Sequence, residues 1–312
     1  VKDKFEGALL GLAVGDALGM PFEGWVSRDI RKKWDRKSFL SRAGLKPGQF
    51  TDDTMLAMVQ AESLIDKGDL DPEDTAKKLV EWYKKGDTRG IGKVSKEAIE
   101  KLLKGISWKE SGIGGEMAAS NGGAVRVIPL GLFYHDDLDK LKDRVKLAVE
   151  ITHKNSEAIK GAQVVAYAIA RACRGDLNPA SLLADAAKYV GSSEMGKKLE
   201  KAQGLLDEDF PPMDALPLIG TGVNVVESVP SALYCFAFSP ESFLGTVVNA
   251  VIAGGDTDTI AAIAGAISGA FNGVGSIPKE WAGGVEKGEQ IISLGDRLYE
   301  AWLKRGGKSG YK

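Results

Sequence analysis

The stretch GALLGLAVGDALG, residues 7–19, decides how this chain folds. Gly7, Gly11, Gly15 and Gly19 recur at every fourth position, with leucine, alanine and valine filling most of the places between. On a helix that spacing lays the glycines in a near-straight row without side chains, so a second helix can approach closely. Glycine inside a helix costs roughly 1 kcal/mol against alanine. A chain that accepts this several times over is expected to use the row for packing; the other reading of the stretch is a glycine-rich loop. A similar row, Gly265, Gly269 and Gly273, lies near the C-terminus. The expectation is two helices, over 5–18 and 260–272, both largely buried and packed tightly in the middle of the fold.

Helical periodicity dominates the rest of the chain. DPEDTAKKLVEWYKKG (71–86) opens on Asp71-Pro72 and stops at a glycine, the usual punctuation of a helix. SKEAIEKLLKGI (95–106) places Ala98, Ile99, Leu102 and Leu103 on one stripe. The segments 138–153, 156–175 and 179–190 read the same way. Residues 204–243 concentrate proline and glycine and are expected to form an irregular connection with one short helix around 228–238. No run of alternating apolar and polar residues predicts a strand of more than a few positions. The expected fold is all-α, a single compact domain over residues 1–312.

Composition narrows the function classes. The chain is 44% hydrophobic and 27% charged, with a formal net charge of −2. That balance is ordinary for a soluble globular protein, and without a basic footprint it argues against nucleic-acid binding. The apolar N-terminal stretch carries Asp16 and four glycines, and the run 260–271 is too short to span a bilayer; no membrane partner is expected. Cys173 and Cys235 lie far apart in apolar surroundings without a CxxC pattern, which fits a reduced, cytoplasmic protein. Nothing in the composition speaks to oligomeric state.

Two acidic clusters interrupt this apolar chain. GQFTDDTML (48–56) places Thr51, Asp52 and Asp53 just before an apolar-periodic helix, and AGGDTDTIAAIAGA (253–266) places Asp256, Asp258 and Thr259 in the same position before another. One reading is helix capping, which Asp and Thr favour and the helix dipole supports. Capping needs one such residue, however, and two buried, unpaired carboxylates repel until one takes up a proton. The other reading is a pair of hard cations, Mg²⁺ or Mn²⁺, held by carboxylate and hydroxyl oxygens. The only histidines, His135 and His153, are not paired at ligand spacing, so zinc finds no nitrogen-rich site. SNGGAVR (120–126) is either a tight turn or a cradle of backbone N–H groups for a diphosphate.

The blocks GALLGLAVGDALGMPFEG, GQFTDDTML, SNGGAVRVIPLGL, ITHKNSEAIKGA and AGGDTDTIAAIAGAISGAFNG occur in the order seen in ADP-ribosylglycohydrolases. The chain resembles that family, including the dinitrogenase-reductase-activating glycohydrolases, from about Phe5 to Trp281. The resemblance implies an all-α fold with a dinuclear Mg²⁺ or Mn²⁺ centre in a cleft. It assigns metal ligation to Thr51, Asp52, Asp53, Asp256, Asp258 and Thr259, and adds Glu23 from PFEG. It places Ser120, Asn121, Gly122 and Gly123 along the ADP-ribose cleft. It makes His153 a substrate contact rather than a partner of the helix dipole. Asp16 reads either as a support behind the ligands or as a polar group in helix packing, and IGTG (219–222) as a further border of the cleft.

The activity this implies is metal-dependent hydrolysis of the glycosidic bond at C1″ of an ADP-ribosyl group, carried by a protein side chain or a small molecule. Glu23 is the candidate for proton transfer, since such cleavage commonly needs a carboxyl group for acid–base work; ligation and proton transfer are compatible roles. The alternatives are a non-catalytic ADP-ribose binder and a metal-dependent hydrolase of another ribosyl or phosphorylated metabolite. The acceptor of the ADP-ribosyl group is left open.

Overall fold

The computed structural model describes residues 1–42 and 44–307. Its centre is the expected pair of helices, Lys2–Gly19 and Thr257–Asn272, both buried along almost their whole length. They run antiparallel: Gly7 meets Gly269, Gly11 meets Gly265, Gly15 meets Ala261 and Gly19 meets Thr257. A Cβ built on Gly15 would stand 2.0 Å from the carbonyl oxygen of Ala261, and one on Gly269 2.0 Å from that of Gly7. The two backbones are therefore in direct contact, and the glycine rows are what permits it. Residues 2–22 pass a length and hydropathy test for a membrane span, but 94% of the window is buried inside the protein. That helix is the core.

Other helices wrap this pair, and apolar side chains from Phe5 to Trp302 form one continuous cluster. Local chemistry sets their ends. Asp71 accepts from the amides of Glu73 and Asp74 to start Pro72–Lys84. Asn155 accepts from Glu157 and Ala158 to start Ser156–Arg174, which Gly175 ends at φ +80°, a left-handed conformation that favours glycine. Among the described residues there is no sheet, only isolated bridges such as Val26 with Gly254 and Ser120 with Asn224. The all-α expectation holds.

The segment 204–243 corrects the sequence reading. Instead of a connection with one short helix, it contains the end of Glu194–Asp207, then Pro212–Ile219 and Val225–Phe238. Its prolines do not forbid this. Pro212 sits in the first turn, where no amide partner is needed. Pro217 and Pro230 lie inside their helices; each gives up a backbone bond that burial of the surrounding apolar residues outweighs. SNGGAVR likewise becomes more than a turn: Gly122–Arg126 is a short helix with Asn121 at its head.

Candidate metal and substrate site

The first acidic cluster is built by its neighbours rather than by its own carboxylates. Thr51 caps helix Asp52–Lys67, its Oγ1 accepting from the Asp53 amide at 3.3 Å. Asp16, wholly buried on the N-terminal helix, accepts from the amides of Thr51 and Thr54 at 3.0–3.1 Å and from the Thr54 hydroxyl at 2.6 Å. The needs of this helix start are thus met without the Asp52 and Asp53 side chains. Asp16 acts as the support behind the cluster, joining the central pair to the helix that carries the acids.

A glycine turn sets the second cluster. Gly254 and Gly255 both have φ near +80°. A Cβ on Gly255 would lie 2.2 Å from the Thr221 carbonyl oxygen, which instead accepts from the Asp256 amide at 2.7 Å. This is where IGTG enters: it anchors Asp256 by its backbone. Gly24 donates to the Gly255 carbonyl at 2.8 Å, bringing the PFEG turn and Glu23 alongside. Asp256 is the N-cap residue of Thr257–Asn272 but makes no capping bond with its side chain. Its carboxylate accepts from Asn121 instead. Capping does not account for Asp52, Asp53 or Asp256.

The two clusters meet. The Thr259 hydroxyl donates to Asp53 Oδ2 at 2.8 Å across 206 residues of sequence. Glu23, Asp256 and Asp258 each present an oxygen within 4.8 Å of the others. The antiparallel pair makes this meeting possible, because Thr257 Oγ1 donates to the Gly19 carbonyl at 2.7 Å and so pins the two helix ends together.

Among the described residues, no ion pair engages Asp16, Glu23, Asp52, Asp53, Asp256 or Asp258. Burial first, and mutual repulsion second, push Asp52 up to about 8 and hold Asp53 and Asp258 well above the usual carboxylate range. Burial, opposed by its hydrogen bonds, raises Asp16 to about 6. Glu23 is raised by burial and by Asp256, against the pull of Arg42. Buried acids without cations are costly, and a donor set of carboxylates and hydroxyls suits a hard divalent cation. One prediction follows for protein kept in chelator. Between about pH 4 and the value of about 8 for Asp52, the folded state holds protons that the unfolded chain has released. Stability must then fall as pH rises through that window. Thermal melts in chelator should show the decline; a flat profile would contradict it.

Beside the acids opens a cavity of about 290 Å³. Asp52, Asp53, Asp256, Asp258, Thr259 and Glu23 line one part, and Ser120, Asn121 and Gly122 another. Thr51, Gly123 and His153 do not line it. Thr51 is 2% exposed, with its hydroxyl engaged as the cap. His153 is wholly buried behind Ser120, its Nε2 3.0 Å from Ser120 Oγ and its Nδ1 2.8 Å from Thr152 Oγ1. Arg126 donates to that same threonine at 3.0 Å. Burial and the Arg126 charge lower His153 to about 3, so it stays neutral and reaches the cavity only through Ser120. The sequence reading missed Gly90, Gly92, Lys93, Val94 and Ser95, which form a further wall; the glycine pair before a helical pattern in RGIGKVS was the available signal. A larger groove of about 840 Å³ runs between Pro72–Lys84 and the turn at Ile106–Trp108, away from all of these acids.

Fold and site together define an all-helical protein whose cleft joins a buried carboxylate cluster to a glycine-bearing loop. The sequence model described as ADP-ribosylglycohydrolase matches residues 1–307, and the chain belongs to that family. An uncharacterized protein of Archaeoglobus fulgidus is 35% identical, over 97% of this chain and 98% of that protein. ADP-ribosylhydrolase ARH3 of Gallus gallus is 30% identical, over 97% of this chain and 94% of that protein. A solved structure titled ADP-ribosylglycohydrolase-related protein complex superimposes with a TM-score of 0.75 at 30% identity, covering 96% of this chain and 98% of its own.

Proposed function

We propose that this chain hydrolyses the glycosidic bond at C1″ of an ADP-ribosyl group, with two divalent cations, Mg²⁺ or Mn²⁺, held in the carboxylate cluster. The observation that carries the reading is the Thr259–Asp53 hydrogen bond, which joins two acidic helix starts in one cleft. Thr51, Asp52 and Asp53 on one side, Asp256, Asp258 and Thr259 on the other, and Glu23 at the mouth are the residues that would hold the ions. Ions held by these residues would supply positive charge to orient a ribose diol and a water and to offset negative charge as it develops.

The chain's own groups do the rest. Asn121 holds Asp256 through its amide and is itself steadied by Ser228 Oγ, to which it donates at 2.9 Å. The Arg126–Thr152–His153 chain fixes the Ser120 hydroxyl at the cavity wall, where the Ser120–Gly122 loop faces the diphosphate. Glu23, at the edge of the cluster beside Asp256 and Asp258, is the carboxyl placed to give a proton to the leaving atom as the C1″ bond breaks.

The test is a panel of defined substrates: arginine-linked and serine-linked ADP-ribosyl peptides, an ADP-ribosylated nucleic-acid end and O-acetyl-ADP-ribose, each with Mg²⁺, Mn²⁺ or chelator. Cleavage of at least one member, lost in chelator, is expected. Glu23→Gln should lower turnover by ~10²–10⁴ while ADP-ribose binding survives. If that variant loses metal instead, Glu23 is a ligand and not the proton donor. If the protein binds ADP-ribose with metal and cleaves nothing on the panel, it is a binder.

A further inference from the structure

The net charge of −2 averages over a chain that is not evenly charged. From Arg28 to Lys46 stand eight basic residues and two acidic ones. Neither acid neutralises the stretch. Asp29 pairs with Arg28 alone, at 3.1 Å. Asp35 turns its carboxylate to the next turn of chain, accepting from the amides of Lys37 and Ser38 at 2.8 and 2.9 Å and from the Ser38 hydroxyl at 2.8 Å. Arg31, Lys32, Arg36, Lys37 and Lys46 are exposed, and no ion pair engages them among the described residues.

This basic ridge is held from beneath. Ile30 and Trp34 are buried and anchor the short helix Ser27–Lys33 and the turn after it. Trp34 Nε1 donates to the Ser38 carbonyl at 2.9 Å, and Trp281 Nε1 to that of Lys37 at 2.6 Å. Arg36 itself has φ +64°, a left-handed conformation that glycine takes freely and arginine does not. A cation is kept where a neutral glycine would relieve strain, which points to a use for the charge. The ridge also adjoins the cleft. Arg42 donates to the carbonyls of Pro21 and Glu23 at 3.0 and 2.6 Å, and Glu23 lines the cavity. Beside them Trp25 is partly exposed, with the charged groups of Lys33 and Arg42 at 5.2 and 5.7 Å from its ring centre.

We infer that the basic ridge docks the phosphodiester backbone of a single-stranded nucleic acid along the mouth of the cleft. Exposed, unpaired cations attract phosphates whatever the base sequence. A tryptophan set among them offers a base a ring to stack on. A lipid surface fits less well, because Ile30, the apolar side chain of the short helix, is turned inward, and a helix lying on a membrane buries its apolar face there. An acidic polypeptide would match the charge and leave the ring unused. The carboxylates inside the cleft repel a strand, so it rests on the rim and not in the cavity. Docking of this kind goes beyond the glycosidic reading and does not depend on which bond the cleft cuts.

The test follows binding of a fluorescent single-stranded DNA oligonucleotide by anisotropy, in chelator, over a series of salt concentrations. The unaltered protein is compared with Arg31→Ala/Lys32→Ala, Arg36→Ala/Lys37→Ala and the conservative Arg31→Lys/Arg36→Lys. Lys77→Ala/Lys84→Ala, at exposed lysines of the groove along Pro72–Lys84, is the control. Each ridge double-alanine variant should bind about tenfold more weakly at low salt, and its log–log salt slope should fall by ~1.4, at ~0.7 for each phosphate contact on a single strand. The lysine variant and the control should keep both. Melting curves should be unmoved, since every altered side chain is exposed. No binding by the unaltered protein at low salt would overturn the inference, as would equal losses in the ridge and control variants, or none in either ridge variant. Polyglutamate and vesicles of phosphatidylcholine with phosphatidylserine are run alongside. If either binds more tightly than the oligonucleotide with the same dependence on the ridge, the strand is the wrong occupant.

Discussion

Asp258→Asn is expected to move two properties in opposite directions. The substitution keeps the shape of a side chain that is 7% exposed and removes one negative charge from the cluster. Without divalent cations, Asp258 is held far above its usual range by burial and then by repulsion from Asp256, Asp53 and Glu23. Removing that charge should therefore raise the melting temperature of the protein in chelator at pH 8. With Mg²⁺ or Mn²⁺ present the proposed ligand role predicts the reverse sign, because the lost charge is one that cations held there would need. Metal affinity and turnover should fall together, by more than the ~10–100-fold that changes behind a ligand usually cost. Excess Mn²⁺ should recover part of the activity. Calorimetric titration of Mn²⁺, with melts in chelator and in metal, reads both effects. A variant that binds metal as tightly as the unaltered protein would remove Asp258 from the ligand set.

The second large effect concerns the backbone contact at the centre of the fold. Gly15→Ala places a methyl group 2.0 Å from the Ala261 carbonyl oxygen and 2.4 Å from its carbon. Neither atom belongs to a side chain that can rotate away, so the helices must separate. Overpacking of this kind costs about 1–3 kcal/mol and sometimes more, and here two backbones have to shift. The helix-propensity gain of roughly 1 kcal/mol from replacing glycine offsets only part of it. The melting temperature should drop by several degrees, at ~2–4 °C per kcal/mol for a chain of this order of size. Metal affinity should fall with it, because Asp16 on the same helix holds the start of Asp52–Lys67. Gly204→Ala is the control: that helical glycine has open space around it, and alanine there should stabilise by up to ~1 kcal/mol. If Gly15→Ala melted at or above the unaltered protein, the glycine rows would not be the reason the helices touch.

Residues 204–243 show where reading by composition went astray. As helix breakers, proline and glycine predict a connection there, yet Pro212 starts a helix and Pro230 lies within one. A local rule about amide donors says nothing of how much apolar surface a helix buries, and burial decided the matter. His153 shows the same limit from another side. Its place after a helix is visible in the sequence, but its full burial behind Ser120 depends on how Ser156–Arg174 and the short helix Gly122–Arg126 pack.

What the sequence by itself determined is what repeats locally: the helical periods, the two glycine rows that demanded a close partner, and the Thr-Asp groups at two helix starts. Each is written in neighbouring residues, because helix geometry and capping are set over one or two turns. What only the tertiary structure decided is which of these meet. Asp53 reaches Thr259 across 206 positions. Asp16 serves a helix on which it does not lie. Lys93, Ser95 and Gly122 line one cavity that no short stretch encodes, with Ser95 Oγ 3.3 Å from where a Cβ on Gly122 would stand. Those juxtapositions come from the antiparallel contact of Lys2–Gly19 with Thr257–Asn272. Its register is set by which backbone atoms can touch where side chains are missing, and one turn of slip would carry the acids apart by about 5.4 Å.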